Sequence, residues 1–336
     1  MPTIAFAGVA HIHTPGFINA ILKRSDLRVK SVWDPDPRKS AHRAAELKAH
    51  VADLDSIARD EEIVAVVVCS ETDRHEAIVT RLAGAGKHLF VEKPLGIAAA
   101  DAYRMASAIE RAGVLFQTGY FRRGDATLRK IKQWIDDGSL GTITRVRGSN
   151  CHTGSLGGWF DERPDKPWES WRWMADMKQS GVGAFGDLGT HMLDILMWFL
   201  GPVKSVTASL DPVTQRYAGC DETGEALFRF ERGTIATLAA GWVDHADPVA
   251  LLVSGTKGHA AVIQGRLIAK IPDLKIEGEV NDLPEPVSNG FGAFLDALSG
   301  KDVSLVGARE AADRSAVMEA MYLAAKSHTW VTPARS

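Results

Sequence analysis

Ile63-Val64-Ala65-Val66-Val67-Val68 is an uninterrupted run of apolar, mostly β-branched residues. It lacks the alternation of apolar and polar side chains that a half-exposed strand shows, so it predicts a strand of a parallel sheet covered by helices on both faces. Strand-like and helix-like segments alternate around this run. The predicted strands are at 3–7, 27–33 and 87–91. The predicted helices are one that begins at Thr14-Pro15, where Thr14 could cap, and two at 38–50 and 75–85. The order predicts a doubly wound α/β domain of the Rossmann type.

The turn after the first strand is the first place to look for a ligand, because such sheets bind beyond the carboxyl ends of their strands. It reads Gly8-Val9-Ala10-His11-Ile12-His13, whereas a dinucleotide fingerprint has glycine at positions 8, 10 and 13. Ala10 still allows backbone amides to approach a pyrophosphate, and His13 either crowds the phosphate or donates a hydrogen bond to it. We expect Gly8, Ala10, His11, Ile12 and His13 to contact the cofactor.

The second strand ends at Asp34, whose carboxylate can accept hydrogen bonds from the adenosine ribose. The same charge repels a 2′-phosphate, which favours NAD as the cofactor. Arg38 lies near enough to serve a 2′-phosphate if the loop folds differently, so NADP stays possible. The alternative is structural: Asp34-Pro35-Asp36-Pro37 starts a turn and caps the next helix.

The next strand ends in Gly86-Lys87-His88-Leu89-Phe90-Val91-Glu92-Lys93-Pro94-Leu95, and here the chain resembles the Gfo/Idh/MocA oxidoreductases, the family of glucose-fructose oxidoreductase and inositol dehydrogenase. The resemblance implies that Lys93 contacts substrate and cofactor as a catalytic residue, and that Pro94 follows a cis peptide bond. It also implies that Ser70 and Glu71 lie near the nicotinamide half of the cofactor, with Glu92 alongside and His75 at the start of a helix.

The pattern changes after about residue 120. A helix at 127–137 is followed by alternating segments at 142–150, 203–210, 225–230 and 234–240, which look like antiparallel strands. We therefore expect a dinucleotide domain over 1–120 and an α+β domain over 121–336 with a large, mostly antiparallel open sheet. By resemblance, the open face of that sheet supports a homo-oligomer, a dimer or a tetramer.

Gly186-Asp187-Leu188-Gly189-Thr190-His191 leads into an apolar helix at 192–200, and its two glycines suggest a strained or closely packed helix start. A spacing of four places Asp187 and His191 on one helical face, and the segment resembles the family's aspartate-to-histidine motif. A dehydrogenase must remove a hydroxyl proton as hydride leaves the same carbon, which suits a histidine. We assign His191 as the general acid/base, Lys93 as the hydrogen-bond partner of the reacting oxygen, and Asp187 as an orienting group.

Other residues are candidates for the substrate pocket, each with a structural alternative. Trp159 belongs to an aromatic loop with Phe160, Trp168, Trp171 and Trp173 that forms either a sugar-stacking wall or a small core. Tyr120, His152 and Arg172 could contact substrate or serve packing and ion pairing. His11 and His13 could share a metal ion only if a carboxylate or a third histidine converges on them, and no metal is expected.

Composition limits the function. A net charge of −3 and the lack of a broad basic surface make nucleic acid an unlikely partner, and no apolar stretch is long enough to span a membrane. Three widely spaced cysteines fit a reducing cytoplasm. The sequence predicts an NAD-dependent dehydrogenase of a secondary carbinol on a sugar, glycoside or inositol-like polyol. The alternatives are an NADP(H)-dependent reductase of a keto-sugar or anhydro-sugar, and a non-catalytic NAD-sensing regulator.

Overall fold

A computed structural model describes residues 1–335, and its first sheet confirms the predicted Rossmann architecture. The sheet has six parallel strands in the order 3-2-1-4-5-6. The strands are β1 (Thr3–Val9), β2 (Arg28–Trp33), β3 (His50–Val51), β4 (Ile63–Cys69), β5 (His88–Val91) and β6 (Phe116–Thr118). The helices between them are α1 (Thr14–Leu22), α2 (Pro37–Leu47), α3 (Leu54–Arg59), α4 (His75–Gly84) and α5 (Ala99–Ala112).

The two central strands are buried on both faces, as the unbroken apolar run predicts. Ile63, Val66 and Val68 pack into one hydrophobic cluster, while Ala65 and Val67 pack into another on the opposite face. The order in which the strands are added switches sides between β1 and β4. Doubly wound folds bind their ligands at this switch point.

Two local expectations were wrong. Thr14 does not cap α1, because it is the first helical residue and its hydroxyl is buried, while His13 occupies the cap position without a side-chain bond. The helix predicted at 38–50 ends at Leu47, because Lys48 adopts a left-handed conformation with φ of 52°. His50 and Val51 then form the short edge strand β3, which is too brief and exposed to show a sequence pattern.

The second sheet has eight strands in the order 14-13-12-11-7-10-9-8, and only the β7–β10 pair is parallel. This agrees with the predicted large, mostly antiparallel sheet. Its strands are β7 (Ile143–Cys151), β8 (Val203–Asp211), β9 (Thr223–Phe230), β10 (Ile235–Gly241), β11 (Val249–Gly255), β12 (His259–Ile263), β13 (Arg266–Ile271) and β14 (Ile276–Glu279). Before and between them lie α6 (Ala126–Asp136), α7 (Met177–Ser180) and α8 (Ala184–Leu200).

Helix α8 is almost wholly buried on the inner face of the second sheet. It begins eight residues earlier than the predicted 192–200, so Gly186 and Gly189 lie inside the helix. Their role is close packing: a Cβ on Gly189 would lie 3.2 Å from Leu238 of β10. The helix N-terminus is capped from outside, because Asp221 accepts a hydrogen bond from the Phe185 amide at 2.8 Å.

The last two helices, α9 (Gly290–Leu298) and α10 (Ala308–Ser327), return to the first domain. Phe291 and Phe294 pack in the same cluster as the β1 residues Ile4 and Phe6, and the small face of α10 packs against α5. The boundary expected at residue 120 separates the two sheets, but α9 packs with the first domain. Within residues 1–335 no helix is both long and apolar enough to cross a bilayer.

Candidate active site

The end of β5 and the first turn of α8 bring two opposite charges together. Lys93 Nζ lies 2.5 Å from Asp187 Oδ1 and 3.0 Å from the Asp187 carbonyl oxygen, and both residues are buried. Burial opposes ionisation of Asp187, but the Lys93 ammonium outweighs it and holds the pKa of this carboxyl below its usual range. The peptide bond between Lys93 and Pro94 is cis, as the resemblance implied.

His191 lies one turn after Asp187 on the same buried helical face, as the spacing predicted. Its Nδ1 atom is buried and has no hydrogen-bond partner among residues 1–335. Burial, together with the positive charge of Lys93, lowers the pKa of His191 well below its ordinary value. The imidazole is therefore neutral at neutral pH, and one of its ring nitrogens is left without a partner among the described residues. The ring of Phe121 packs 5.0 Å from it.

Trp242, just after β10, is a site residue that the sequence analysis missed. Its indole donates a hydrogen bond to Asp187 Oδ2 at 3.2 Å, and its ring packs on Phe160 at 4.2 Å. Asp187 is thus held from one side by a lysine and from the other by an indole. A lone tryptophan at a strand end gives no sequence signal for this contact, which only tertiary packing creates.

The turn after β1 has the shape that a dinucleotide needs. Gly8 has φ of 80°, and a Cβ at this position would overlap Ser70, so only glycine fits. The backbone N–H of Ile12 has no partner within residues 1–335 and is free to bind a phosphate oxygen. Asp34 accepts the amides of Val9 and Asp36 at 2.8 and 2.9 Å, one on each carboxylate oxygen. Each oxygen retains capacity for a ribose hydroxyl.

Two of the remaining predicted cofactor residues, Arg38 and Glu71, form ion pairs near Asp34. Arg38 is exposed and paired with Asp36 at 2.8 Å, and it is Asp36, not Asp34, that caps α2. Glu71 pairs with Arg74 and lies 3.9 Å from Lys39, on the Asp34 side of the sheet edge.

Ser70 and His75 support the turns around the site. Ser70 is fully buried against Gly8, and its hydroxyl donates to the Glu71 carbonyl at 3.1 Å. His75 begins α4 as expected, and its Nδ1 lies 3.0 Å from the carbonyl oxygen of Leu95, two residues beyond Lys93. His75 therefore positions the segment that carries the lysine, and burial lowers its pKa.

Glu92 is completely buried beside the two histidines of the first turn. His13 Nδ1 lies 2.8 Å and His11 Nδ1 3.7 Å from Glu92 Oε1. Although burial works against it, the two imidazoles hold the pKa of Glu92 below its usual range. Burial lowers the pKa of His11 to about 3. Ala10 closes this corner, because its carbonyl accepts the indole N–H of Trp173 at 3.0 Å.

Two of the predicted substrate residues make structural contacts within the protein. The Tyr120 hydroxyl is buried and bonded to Thr190 at 2.8 Å, so it braces α8, which is the structural alternative to a substrate contact. Arg172, between β7 and α7, stacks 4.9 Å above the ring of Tyr217 in the β8–β9 loop, which is the structural alternative to a substrate contact.

His152 and Trp159 are better placed. Their rings pack at 4.5 Å, Trp159 is 39 % exposed, and the Asp187 and Lys93 charges both act on the His152 imidazole. Within the aromatic loop, Phe160 and Trp173 are buried, while Trp168 stacks on His42 of α2 at 4.3 Å. The loop therefore supplies both a small core and one exposed ring.

Comparison with known proteins matches both parts of the chain to described families. Residues 3–120 match the family described as "Oxidoreductase family, NAD-binding Rossmann fold", and residues 128–261 match the GFO/IDH/MocA C-terminal domain. The myo-inositol 2-dehydrogenase of Thermotoga maritima is 38% identical over 190 residues, 55% of this chain and 52% of that protein. A 2,7-anhydro-N-acetylneuraminate hydratase of Mediterraneibacter gnavus is 26% identical over 77% of this chain and 67% of its own.

The matches thus span about half to two thirds of these curated relatives. Among solved structures, a levoglucosan dehydrogenase in complex with NADH superposes with a TM-score of 0.80 at 19% identity, covering 100% of both chains, which shows the shared fold. The two family matches together cover most of the chain. This protein therefore belongs to the Gfo/Idh/MocA oxidoreductase family, and its first domain is an NAD-binding Rossmann domain.

Proposed function

We propose that this protein is an NAD-dependent dehydrogenase that oxidises a secondary carbinol of a sugar, glycoside or inositol-like polyol. The observation that carries the proposal is the buried cluster of Lys93, Asp187 and His191 beside the carboxyl end of the Rossmann sheet. An ion pair and a neutral histidine with an unpartnered nitrogen form a suitable set for moving a hydroxyl proton. The inositol and levoglucosan dehydrogenases among its relatives support the polyol substrate class.

The roles of the three residues follow from their atoms. Nδ1 of His191 accepts the proton of the reacting hydroxyl, since it is neutral and has no competing partner within residues 1–335. Lys93 Nζ uses two of its donors on Asp187 and has a third for the reacting oxygen. Asp187 holds Lys93 in place and is itself held by Trp242. NAD, when bound, accepts the hydride.

The cofactor would lie along the edge that Gly8, Ile12 and Asp34 form. Gly8 provides the close approach, the free amide of Ile12 meets the pyrophosphate, and Asp34 binds the adenosine ribose. The Asp34 carboxylate favours NAD over NADP, because Arg38 is paired with Asp36 and turned to solvent.

The first experiment is to follow absorbance at 340 nm with NAD and then NADP against inositols, aldoses and glycosides. Reduction of NAD by one cyclitol or sugar supports the proposal. No turnover with either cofactor, although NAD binds tightly, contradicts it and favours the regulator. Turnover only with NADPH and a keto-sugar or anhydro-sugar favours the reductase.

A homo-oligomer and a cytoplasmic location are part of the same proposal. The outer face of the second sheet carries Leu227 and the 45 % exposed Ile235 beside Arg145 and Arg147, a mixed surface that suits contact with a second copy. The three cysteines are free thiols, which fits a reducing compartment. Light scattering coupled to gel filtration tests the oligomer, and a mass of one chain contradicts it.

A further inference from the structure

Two histidines and a glutamate converge at one corner of the active site. His11 and His13 stand two residues apart on the turn after β1, and Glu92 ends β5 on the neighbouring side of the sheet edge. One ligand atom from each of the three lies within 4.8 Å of the others. From the sequence, the two imidazoles required a carboxylate or a third histidine near them before they could share a metal ion. Glu92 is that carboxylate.

The donor set and spacing suit a transition metal. Catalytic zinc sites use three nitrogen or oxygen ligands from the protein and keep a further position open. Metal–ligand distances near 2.0–2.2 Å in tetrahedral geometry separate neighbouring ligand atoms by about 3.4 Å. The distances from Glu92 Oε1 to the Nδ1 atoms of His13 and His11, 2.8 and 3.7 Å, bracket that separation. Shifts of a few tenths of an ångström would admit an ion.

The surroundings hold the three ligands in place. Glu92 Oε2 accepts the backbone N–H of Lys93 at 2.8 Å, which fixes the carboxylate. The backbone N–H of His13 donates to His11 Nδ1 at 3.2 Å, so this nitrogen is unprotonated, and a metal ion bound to it would replace this long hydrogen bond. Trp173 packs 5.7 Å from the His11 ring. A site arranged before the ion arrives loses less conformational entropy on binding.

Charge and access also favour a cation. Lys93 and Asp187 neutralise each other at 2.5 Å, which leaves the negative charge of Glu92 to be balanced. His11 and Glu92 are buried, whereas the His13 side chain is 38% exposed and lines a cavity of about 530 Å³. An ion can therefore enter past His13.

We propose that His11, His13 and Glu92 bind one divalent transition-metal ion, with Zn²⁺ as the first candidate. The open coordination position lies near Lys93 and Asp187, where it would take a hydroxyl oxygen of the substrate. The occupancy of the site does not depend on the proposed dehydrogenase activity, but its contact with substrate rests on it.

The test measures metal binding without substrate. The full-length protein is dialysed against chelator, and Zn²⁺ or Co²⁺ is returned in equilibrium dialysis with elemental analysis of bound metal. We expect one equivalent per chain and, for Co²⁺, visible absorption typical of a low-coordinate site. His13→Ala and Glu92→Gln should each weaken binding at least about 100-fold, since each removes one of three ligands. His259→Ala, an exposed histidine on β12, is the matched control and should bind as wild type.

Circular dichroism and thermal melting establish that each variant is folded, and the half-exposed His13 is the position least able to disturb the core. Binding of less than a tenth of an equivalent at equimolar metal overturns the proposal. So does stoichiometric binding that survives both substitutions. If metal binds but no polyol is oxidised, the site stands and the dehydrogenase fails. If metal-free protein that binds no added ion oxidises a polyol, the metal proposal fails and the dehydrogenase proposal stands.

Discussion

At the scale of single residues, the site depends on buried charges that are paired and one buried histidine that is not. Lys93 and Asp187 are tolerable in the interior because they lie 2.5 Å apart and Trp242 supplies a further hydrogen bond. His191 remains neutral because protonation would place a second positive charge beside Lys93 in a buried position. This contrast between an ion pair and a neutral base is what the chemistry would use.

Replacing His191 with asparagine should lower kcat by about 10²–10⁴-fold, since the buried base for the hydroxyl proton is lost while the polar volume is partly kept. NAD binding should change little, because the residue is on α8 rather than in the turn after β1. Steady-state kinetics and NAD titration measure both quantities. His259→Asn is the control, and wild-type turnover in His191→Asn would refute the assigned role.

The cofactor preference should change when Asp34 is replaced by alanine. The substitution removes the ribose acceptor and the repulsion toward a 2′-phosphate, so the ratio of kcat/KM for NAD over NADP should fall at least about tenfold. The Val9 and Asp36 amides lose their acceptor, so a lower Tm should accompany the change. An unchanged ratio would show that Asp34 serves only the turn.

The stability of the protein should fall as the pH falls below about 6.5, the ordinary pKa of histidine. The pKa values of His191 and His75 are lowered in the folded state, so the unfolded chain binds more protons than the native one in acid. The free energy of unfolding therefore rises with pH across this window. Above it, the full stabilising contribution of these two histidines is present. Chemical denaturation at about pH 5.5 and 7.5 measures the difference. Equal stability at both values would contradict it.

At the scale of elements, α8 carries the site and is held by partners distant in sequence. Its N-terminal amides donate to Asp221, in the loop before β9, and to Tyr322 on α10. Asp187 lies in the first turn of this helix, so the cap also fixes the position of the carboxylate. A helix that begins with glycine-rich sequence needs such external acceptors, because it has no capping side chain of its own.

Tyr322→Phe should destabilise the protein by about 1–3 kcal/mol, because the hydroxyl accepts the amides of Gly183 and Gly186 and donates to Asp221 at 2.9 Å. Denaturant unfolding measures the change. The matched control is Tyr103→Phe on α5, whose hydroxyl bonds Asp313 in a more open setting, and it should cost less. A larger loss in the control would contradict the capping role.

At the scale of the whole molecule, the two domains are joined by a buried ion network and by the returning helices. Asp194 of α8 is 1% exposed and pairs with Arg123, in the segment leading from the first domain, and with Arg314 of α10. The cleft between the two sheets is therefore fixed by charge as well as by apolar packing. A site with residues from both domains requires that fixed relation.

Asp194→Ala should lower the free energy of unfolding by up to about 3–5 kcal/mol, because it leaves two largely buried arginines with only the more exposed Glu310 as an acidic partner. The control is Asp136→Ala, which removes an exposed partner of Lys132 on α6 and should cost at most about 1 kcal/mol. Calorimetry measures the Tm of both variants. Similar Tm values for the two would contradict a stabilising role of the network.

The sequence by itself determined the Rossmann sheet, the mostly antiparallel second sheet and the grouping of Lys93, Asp187 and His191. These depend on local signals: unbroken β-branched runs, a segment that resembles one family, and a four-residue spacing on one helix. The short strand β3 left no such signal.

Tertiary structure alone decided the rest. It placed Trp242 against Asp187, bonded Tyr120 to Thr190 of α8, brought α9 back to the first domain and set Glu92 beside His11 and His13. These contacts join residues far apart in the chain, and their energies come from burial and pairing that exist only once the elements have packed.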